Sequence, residues 1–210
     1  IDGSLVGRGS ICLMISLIYK RRALPLAFSV VEGKKGHLPE DMHIELVNKM
    51  RPLIPESTKL VIFLGDGEFD GISLQRTLTG FGWKYVSRTS HNITIFADDE
   101  PFHIDMLAAM LPKGSWKGLR DCKITRKKYG PVTAVAWWGD DQKEPIFLVT
   151  NFLSTSKACR YYSMRFTIET FFSDQKSRGF NIDKSHLSCP QRLTRLMYAS
   201  CLAYLWIIFF

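Results

Sequence analysis

Residues 11–33, "ICLMISLIYKRRALPLAFSVVEG", decide how the first part of the chain folds. Two apolar runs, 11–19 and 24–31, flank the basic residues Lys20, Arg21 and Arg22. Apolar and β-branched runs around a short polar turn predict a β-hairpin. Because apolar residues occur on both faces of each run, we expect strands that are covered on both sides. The three basic residues are interpreted as a polar turn.

Helices and strands alternate after the hairpin. Helical spacing of apolar residues predicts a helix within 38–54, and the apolar run before "GDG" predicts a buried strand within 58–65. A helix within 72–83 and a strand within 84–90 follow. Residues 92–143 are irregular but contain two strand-like runs, which predict a β-rich insertion. A buried strand within 144–152 and helices over 156–178 and 190–210 complete the chain.

This order of elements predicts an α/β fold. Three antiparallel strands followed by alternating helices and strands describe a mixed sheet flanked by helices. A ribonuclease H-like core has this order. We therefore expect a first core segment at 1–91, a β-rich insertion at 92–143, and a second core segment at 144–210 with a late helix and a C-terminal helix.

Composition narrows the classes of function. The 210 residues carry a net charge of +8, which favours an anionic partner such as nucleic acid or a membrane surface. Five widely spaced cysteines without a CxxC pair argue against a disulfide framework or a structural zinc site and favour free thiols in a reducing cytoplasm. The terminal apolar run of 15 residues is short for a membrane span, so we expect a buried helix there. Both ends of the sequence are interpreted as cuts within a longer protein.

Three acidic residues stand out by position. Asp2 lies in "IDGS" at the start of the hairpin, Asp66 follows the buried strand in "FLGDGEFD", and Glu169 lies on a late helix. Acids at strand ends and on a packed helix can converge, and converging carboxylates bind hard cations. Each acid has an ordinary alternative as a turn, cap or surface residue. Glu68 and Asp70 compete with Asp66, which is favoured because the strand itself fixes it.

The late helix shows a polar face. At about 100° per residue, Tyr162, Arg165, Glu169 and Lys176 fall within an arc of about 60°. Apolar residues occupy the opposite side. An ordinary salt-bridged surface stripe explains Arg165 and Glu169 as an i,i+4 pair. A working face, which carries a catalytic glutamate and the groups that hold its substrate, explains all four residues. Helical geometry alone leaves both possibilities open.

These motifs resemble a known family. In "YSMRFTIETFFSDQK" (162–176) the order is Tyr, two residues, Arg, three residues, Glu, six residues, Lys. This spacing resembles that of DDE transposases of bacterial insertion sequences, in the group with a β-strand insertion between the second aspartate and the glutamate. "IDGS" and "FLGDGEFD" are similar to the two aspartate motifs, and the resemblance extends over nearly the whole chain.

The resemblance implies a catalytic role for Asp2, Asp66 and Glu169. They would bind two Mg²⁺ ions, for which Mn²⁺ can substitute. The expected chemistry is cleavage at the end of a mobile element, followed by attack of the freed 3′-hydroxyl on a phosphodiester.

The resemblance also implies contacts with DNA. Tyr162, Arg165 and Lys176 would hold the phosphate backbone near the cleaved end. Trp137 and Trp138 lie in the β insertion, where a tryptophan of such transposases stacks on a flipped base. Because neighbouring residues of a strand face opposite sides, at most one of the two is expected to stack.

Four basic residues of the insertion are further candidates for the DNA interface, although an ordinary solvated turn explains them equally well. The four residues are Lys123, Arg126, Lys127 and Lys128.

The resemblance implies DNA ends and target DNA as partners, no membrane, and a homodimer on paired ends. It also implies a location in the bacterial cytoplasm and at the nucleoid.

Two other functions remain open at this stage. A ribonuclease H-like nuclease would cut DNA without joining it. A non-catalytic DNA-binding relic of a mobile element would keep the fold and the basic surface without the reaction.

Overall fold

The structure, a computed structural model, describes residues 1–33, 36 and 38–209. Its five α-helices are α1 (Glu40–Met50), α2 (Ile72–Gly80), α3 (Thr155–Ser163), α4 (Thr167–Ser173) and α5 (Pro190–Phe209). Its strands are β1 (Asp2–Val6), β2 (Ser10–Tyr19), β3 (Arg22–Glu32), β4 (Ile62–Gly65), β5 (Lys84–Thr89), β6 (Thr94–Ala97), β7 (Glu100–His103), β8 (Ser115–Ile124), β9 (Tyr129–Trp138) and β10 (Ile146–Thr150).

The chain divides into two units. The first consists of Ile1–Ser57 and Met164–Phe210, and the second of Thr58–Ser163. The boundary between Ser163 and Met164 falls inside the stretch that carries the Tyr-Arg-Glu-Lys spacing. The predicted division at 1–91, 92–143 and 144–210 stays a prediction.

The first unit contains the predicted hairpin. Strands β1, β2 and β3 form a three-stranded antiparallel sheet in sequence order. The register shifts where Ser16 pairs with Pro25, which places the proline at a bulge of the edge strand β3. Proline has no backbone N–H to donate and is tolerated at such positions. The hairpin is therefore confirmed, with strands that extend slightly beyond the apolar runs.

The β2–β3 turn has two residues between the paired Tyr19 and Arg22. Lys20 has φ 45° and Arg21 has φ 63°, both in the left-handed region. Two-residue hairpin turns with two positive φ angles favour Asn-Gly, because other residues are strained there. The left-handed conformation costs a non-glycine residue about 1–2 kcal/mol, so this turn is more costly than its length requires.

Three helices pack on this sheet. Helices α1, α4 and α5 all contact β3, and α4 also contacts β1. The core between the sheet and helices α4 and α5 is apolar, as the hydrophobic effect requires of the faces that meet there. Its buried members include Cys12 and Met14 of β2, Ile168 and Phe171 of α4, and Leu193, Met197 and Tyr204 of α5.

The second unit is built on a seven-stranded mixed sheet with the order β4-β5-β10-β9-β8-β6-β7. Strands β4 and β5 are parallel and are connected through α2, whereas the other neighbouring strands are antiparallel. Helix α3 contacts β5, β8 and β9. The predicted α/β class, a mixed sheet with flanking helices, is confirmed. Strands β6 to β9 fall within the segment predicted to be rich in β-structure.

One feature of the sheet prediction was wrong. The order of elements suggested a single mixed sheet that includes the hairpin, but the hairpin strands form a sheet of their own. Hydrophobic runs predict strands, whereas the choice of partner depends on hydrogen bonds between residues distant in sequence. The apolar pattern therefore could not give this division.

The prediction of one continuous helix over 156–178 was also wrong. Helix α3 ends at Ser163, a 3-10 turn covers Met164–Phe166, α4 follows, and a π-helical segment covers Asp174–Arg178. The hydroxyl of Ser163 donates to the Arg160 carbonyl at 2.8 Å, and Thr167 donates to the Met164 carbonyl at 2.9 Å. Such side-chain bonds compete with the regular backbone ladder and bend helices, which gives a physical cause for the break.

Helix α5 contains the terminal apolar run. It is half-buried rather than buried, because Leu193, Met197 and Tyr204 face the core while Leu202 and Trp206 are exposed. Phe210 lies outside the described residues. Within the part of the chain that the structure describes, no helix combines the length and apolarity that a membrane span needs. All five cysteines are free thiols in the structure.

Candidate active site

Asp2 opens strand β1 in the first unit. It pairs with Met14 of β2, whose side chain is fully buried, and Asp2 itself is only 4% exposed. Its Oδ1 accepts the backbone N–H of Gly3 at 2.9 Å. Burial restricts the carboxylate to one place, and a buried carboxylate needs hydrogen bonds or cations to remain charged.

Asp66 follows strand β4 in the second unit. Its Oδ1 accepts the backbone N–H of Glu68 at 3.0 Å and so caps the 3-10 turn Gly67–Phe69. Gly65 before it has no room for a side chain, since an added Cβ would lie 2.6 Å from the Cβ of Phe69. The buried Phe69 therefore holds the turn against the strand end, and Asp66 is fixed from both sides.

The competing acid Asp70 has a structural role. Its Oδ2 accepts the hydroxyl of Thr89 at 2.7 Å, and its carbonyl accepts the side-chain amide of Gln75 at 2.7 Å. The hydroxyl of Tyr85 donates to the other end of that amide at 2.9 Å. Asp70 thus belongs to a hydrogen-bond network that ties α2 to β5, and Asp66 stays the preferred candidate at this strand end.

Glu169 lies on α4 in the first unit. Its Oε1 accepts a hydrogen bond from Arg165 at 2.6 Å, in the i,i+4 pair that the sequence suggested. The two partners differ in environment, since the Arg165 side chain is 7% exposed and that of Glu169 is 51% exposed. The guanidinium of Arg165 also lies 5.0 Å from the ring centre of Phe166. About half of the Glu169 side chain is therefore exposed, while the side chain of its cation is buried.

Tyr162 and Lys176 are separated from this pair by the breaks in the helix. Tyr162 is 1% exposed on α3 in the second unit, and Lys176 is half-buried in the π-helical segment of the first unit. Burial raises the pKa of the Cys12 thiol, and the charge of Lys176 opposes that rise. The four residues therefore do not lie on one continuous helix.

The acidic side chains suit a hard divalent cation by chemistry, because carboxylate oxygens are the ligands that Mg²⁺ takes. Asp2 and Glu169 belong to contacting elements of one unit, β1 and α4. Asp66 belongs to the other unit. Among the described residues, no group of three or more His, Cys, Asp or Glu side chains is assembled as a metal site. The three acids therefore fit a divalent cation in the type of donor atom, and two of them, Asp2 and Glu169, lie on elements that contact each other.

The tryptophans of strand β9 point to opposite faces of the sheet, as its geometry requires. The indole N–H of Trp138 donates to the Gln142 carbonyl at 3.3 Å, which ties this ring to the following turn. Trp137 pairs across the strands with Trp116 of β8. Trp116 is 48% exposed, more than either predicted tryptophan, and no motif in the sequence pointed to it.

The four basic candidates of the insertion surround the β8–β9 turn. Lys128 and Lys123 lie 2.9 Å and 3.9 Å from the same carboxylate oxygen of Asp99. The hydrogen bond from Lys128, followed by the nearby charges, lowers the pKa of that carboxyl. Asp99 thus offsets part of the charge of these two lysines, while Arg126 and Lys127 lie at the turn itself.

A second basic group was missed by the sequence analysis. Lys20, Arg21 and Arg22, interpreted there as a polar turn, line a cavity together with Thr170 of α4 and Tyr204 of α5. The only signal in the sequence was the absence of the usual Asn-Gly from a two-residue turn. For Trp116, the signal was its place within the predicted β-rich insertion, 92–143.

The comparisons with known proteins give the family. A family model described as the transposase DDE domain matches residues 7–206. The chain belongs to this family. Its α/β structure is accordingly consistent with the ribonuclease H-like fold of DDE transposases, and its general activity is related to DNA transposition and DNA cleavage. Members bind DNA and generally use divalent metal ions.

The match includes Asp66 and Glu169 and begins after Asp2. The finer assignment, to the group with the Tyr-Arg-Glu-Lys spacing and a β-strand insertion, stays a prediction. Comparison with the curated proteins found no match.

Proposed function

We propose that the chain is the catalytic domain of a DNA transposase that performs metal-dependent DNA cleavage and strand transfer. The observation that carries the proposal is the family match together with Glu169, a half-exposed acid on a helix that contacts the strand of Asp2. The expected setting is the bacterial cytoplasm and nucleoid, with two copies acting on paired DNA ends.

Asp2, Asp66 and Glu169 are the residues that would hold two Mg²⁺ or Mn²⁺ ions. When bound, such ions supply Lewis-acid stabilisation of the attacking and leaving oxygens in phosphodiester chemistry. The chain's own contribution is positioning. Asp66 is fixed by the capped turn after β4, and Asp2 is fixed by burial in β1.

Arg165 is proposed to be a positioning residue for Glu169. Its guanidinium is largely enclosed and donates to Glu169 at 2.6 Å, so it selects one orientation of a side chain that solvent would otherwise leave mobile. A bound cation would share the Glu169 carboxylate with this guanidinium. Contact of Arg165 with a DNA phosphate, as the resemblance implied, requires that part of the guanidinium turn from the carboxylate to the DNA.

The DNA interface is proposed to include the insertion. Arg126 and Lys127 are the stronger basic candidates there, because Lys123 and Lys128 share Asp99. Trp116 joins Trp137 as a candidate for base stacking, since an exposed indole offers the π-face that a base needs. Tyr162 and Lys176 remain proposed contacts that need greater exposure than they have in this structure.

The test compares two glutamates that both pair with a cation at i,i+4. Glu169→Gln keeps the size and a hydrogen-bond acceptor but removes the charge. Glu45→Gln makes the same change on α1, where Glu45 pairs with Lys49 at 2.6 Å and both side chains are exposed. The substrate is a supercoiled plasmid that contains the DNA flanking the chain's own coding sequence, incubated with Mg²⁺.

We expect Glu169→Gln to abolish nicking and joining while DNA binding persists, and Glu45→Gln to behave as the unaltered chain. Full cleavage by Glu169→Gln would refute the assignment of the acid. Released ends without joined products would favour the nuclease. DNA binding by the unaltered chain without any metal-dependent cleavage would favour the relic.

A further inference from the structure

A cavity of about 220 Å³ opens in the first unit beside the β2–β3 turn. Its wall is formed by Lys20, Arg21 and Arg22 on one side and by the threonines of α4, Asp174 and Tyr204 on the other. We call it the turn pocket. Its volume is several times the roughly 30 Å³ that one water molecule takes in the liquid, so it can admit a hydrated anionic group.

The charge of the turn pocket favours an anion. Three cations face one carboxylate, that of Asp174, and the remaining polar groups at the wall are hydroxyls. Burial raises the pKa of the Tyr204 phenol, and the neighbouring Arg22 opposes the rise. Tyr204 is therefore a neutral hydroxyl donor at ordinary pH. Guanidinium, ammonium and hydroxyl donors together are the set that binds phosphate oxygens.

The backbone of the turn supports a role for its side chains. Lys20 and Arg21 both adopt positive φ angles, which Asn-Gly would adopt with less strain. A simple hairpin connection does not require two long basic side chains in this conformation. Strained residues persist where another demand fixes them, and here both strained residues line the cavity.

The turn pocket lies near the candidate acids of the same unit. Thr170 of its wall directly follows Glu169 on α4. Along β2, Tyr19 at the turn is five residues beyond Met14, the partner of Asp2. At about 3.4 Å per residue the turn lies about 17 Å along the strand from the level of Asp2. One DNA strand covers this distance in about five nucleotides at 3.4 Å each.

We propose that the turn pocket binds a backbone phosphate of DNA several nucleotides from the phosphodiester that is cleaved. The ligand is DNA because the inference rests on the proposed function, while the anion chemistry follows from the pocket itself. Binding there would fix the path of the strand before the acids act on it. Inorganic phosphate and free mononucleotides share this chemistry and are separated from DNA by the test.

The decisive variant is the double substitution Lys20→Asn with Arg21→Gly in the 210-residue chain. It removes two cations and installs the pair that the turn conformation favours, so the melting temperature should stay the same or rise. Arg21→Lys keeps the charge and serves as the conservative variant. Lys184→Asn with Arg192→Gln removes two exposed cations of the same unit away from the turn pocket and is the matched control.

The measurement is the affinity for random-sequence duplex DNA across a salt series. Each phosphate contact contributes about 0.9 to the slope of log K against log salt. Loss of one contact should therefore lower the slope by about 0.9 and weaken binding about eightfold at 0.1 M salt. Arg21→Lys should retain the slope, and the control should change it by less than about 0.3.

A double variant that matches the control in slope and affinity overturns the proposal for the turn pocket. The proposed function is tested separately, and it still stands in that case if Glu169→Gln loses cleavage. If calorimetry shows inorganic phosphate or a mononucleotide bound through Lys20 and Arg21 with the DNA slope unaltered, the pocket serves a small anion and the proposal is also wrong. If the unaltered chain binds no DNA, the proposed function fails together with it.

Discussion

The glycines on either side of Asp66 allow a test of how that acid is positioned. A Cβ added at Gly65 would lie 2.6 Å from the Cβ of Phe69, whereas one added at Gly67 would meet nothing within 4 Å. The two substitutions Gly65→Ala and Gly67→Ala are chemically identical and lie one residue from Asp66 on opposite sides. Neither substitution removes the carboxylate of Asp66.

The expected magnitude follows from the contact. Two carbons in contact lie about 3.5–4.0 Å apart, so the turn must move by about 1 Å to accept the methyl group that Gly65→Ala introduces. The obstructing atom is the Cβ of Phe69, which is fixed to the backbone of a fully buried residue and cannot rotate away. Overpacking of this kind costs about 1–3 kcal/mol, and a chain of this size loses about 2–4 °C of melting temperature per kcal/mol.

The functional effect should exceed the loss of stability. Displacement of a catalytic group by about 1 Å can reduce a rate about 100-fold. We therefore expect Gly65→Ala to lower metal-dependent plasmid nicking by about that factor at a temperature where circular dichroism shows the variant folded. Gly67→Ala should stay within about twofold of the unaltered chain, since its methyl group meets open space.

Equal melting temperatures for the two variants would show that the close approach of Gly65 to Phe69 is absent. A lower melting temperature for Gly65→Ala with undiminished nicking would confirm the packing but would separate the β4 end from the reaction. That second result would remove Asp66 from the proposed set of acids.

Two further predictions concern stability. Glu169→Ala should destabilise the chain by about 1–2 kcal/mol, because the enclosed Arg165 loses its carboxylate. Glu45→Ala should cost at most about 0.5 kcal/mol, because its pair with Lys49 is exposed. Urea unfolding of both variants measures the difference, and equal losses would contradict the enclosure of Arg165. Burial raises the pKa of the Cys159 and Cys201 thiols from 9.0 to about 12. Above pH 9 the unfolded chain releases these protons while the folded chain keeps them. The contribution of the two thiols to stability is therefore complete below pH 9 and is lost as the pH rises further. Each thiol should subtract about 1.4 kcal/mol per pH unit between about 9 and 12, and unfolding of Cys201→Ala from about pH 8 to 10.5 should show a shallower decline than the unaltered chain; an identical decline would contradict the burial of that thiol.

Local elements of the fold could be predicted from the sequence, but their assembly could not. The hairpin, the strand before Asp66 and the helix after it follow from residues that are neighbours in the chain, and all three are present. The separation of the hairpin from the seven-stranded sheet depends on hydrogen bonds between distant segments, on which the apolar pattern is silent.

The basic turn shows the same limit at the level of a site. Lys20 and Arg21 are more than 140 residues before Thr167, Thr170 and Asp174, so no local pattern connects them. Alternation along β9 predicted that Trp137 and Trp138 face opposite ways. It could not predict that Trp116 on the neighbouring strand would be more exposed than either of them.

The break between α3 and α4 bears on the choice between a working face and an ordinary surface stripe. A stripe requires a continuous helix whose polar side chains are solvated, but Tyr162 and Arg165 are buried on different segments. Enclosing a guanidinium costs several kcal/mol of desolvation unless its hydrogen bonds compensate. A stripe would avoid that cost by leaving Arg165 in water. The chain instead encloses the cation and leaves the Glu169 side chain half-exposed, so the pair keeps the acid oriented and still accessible to a ligand.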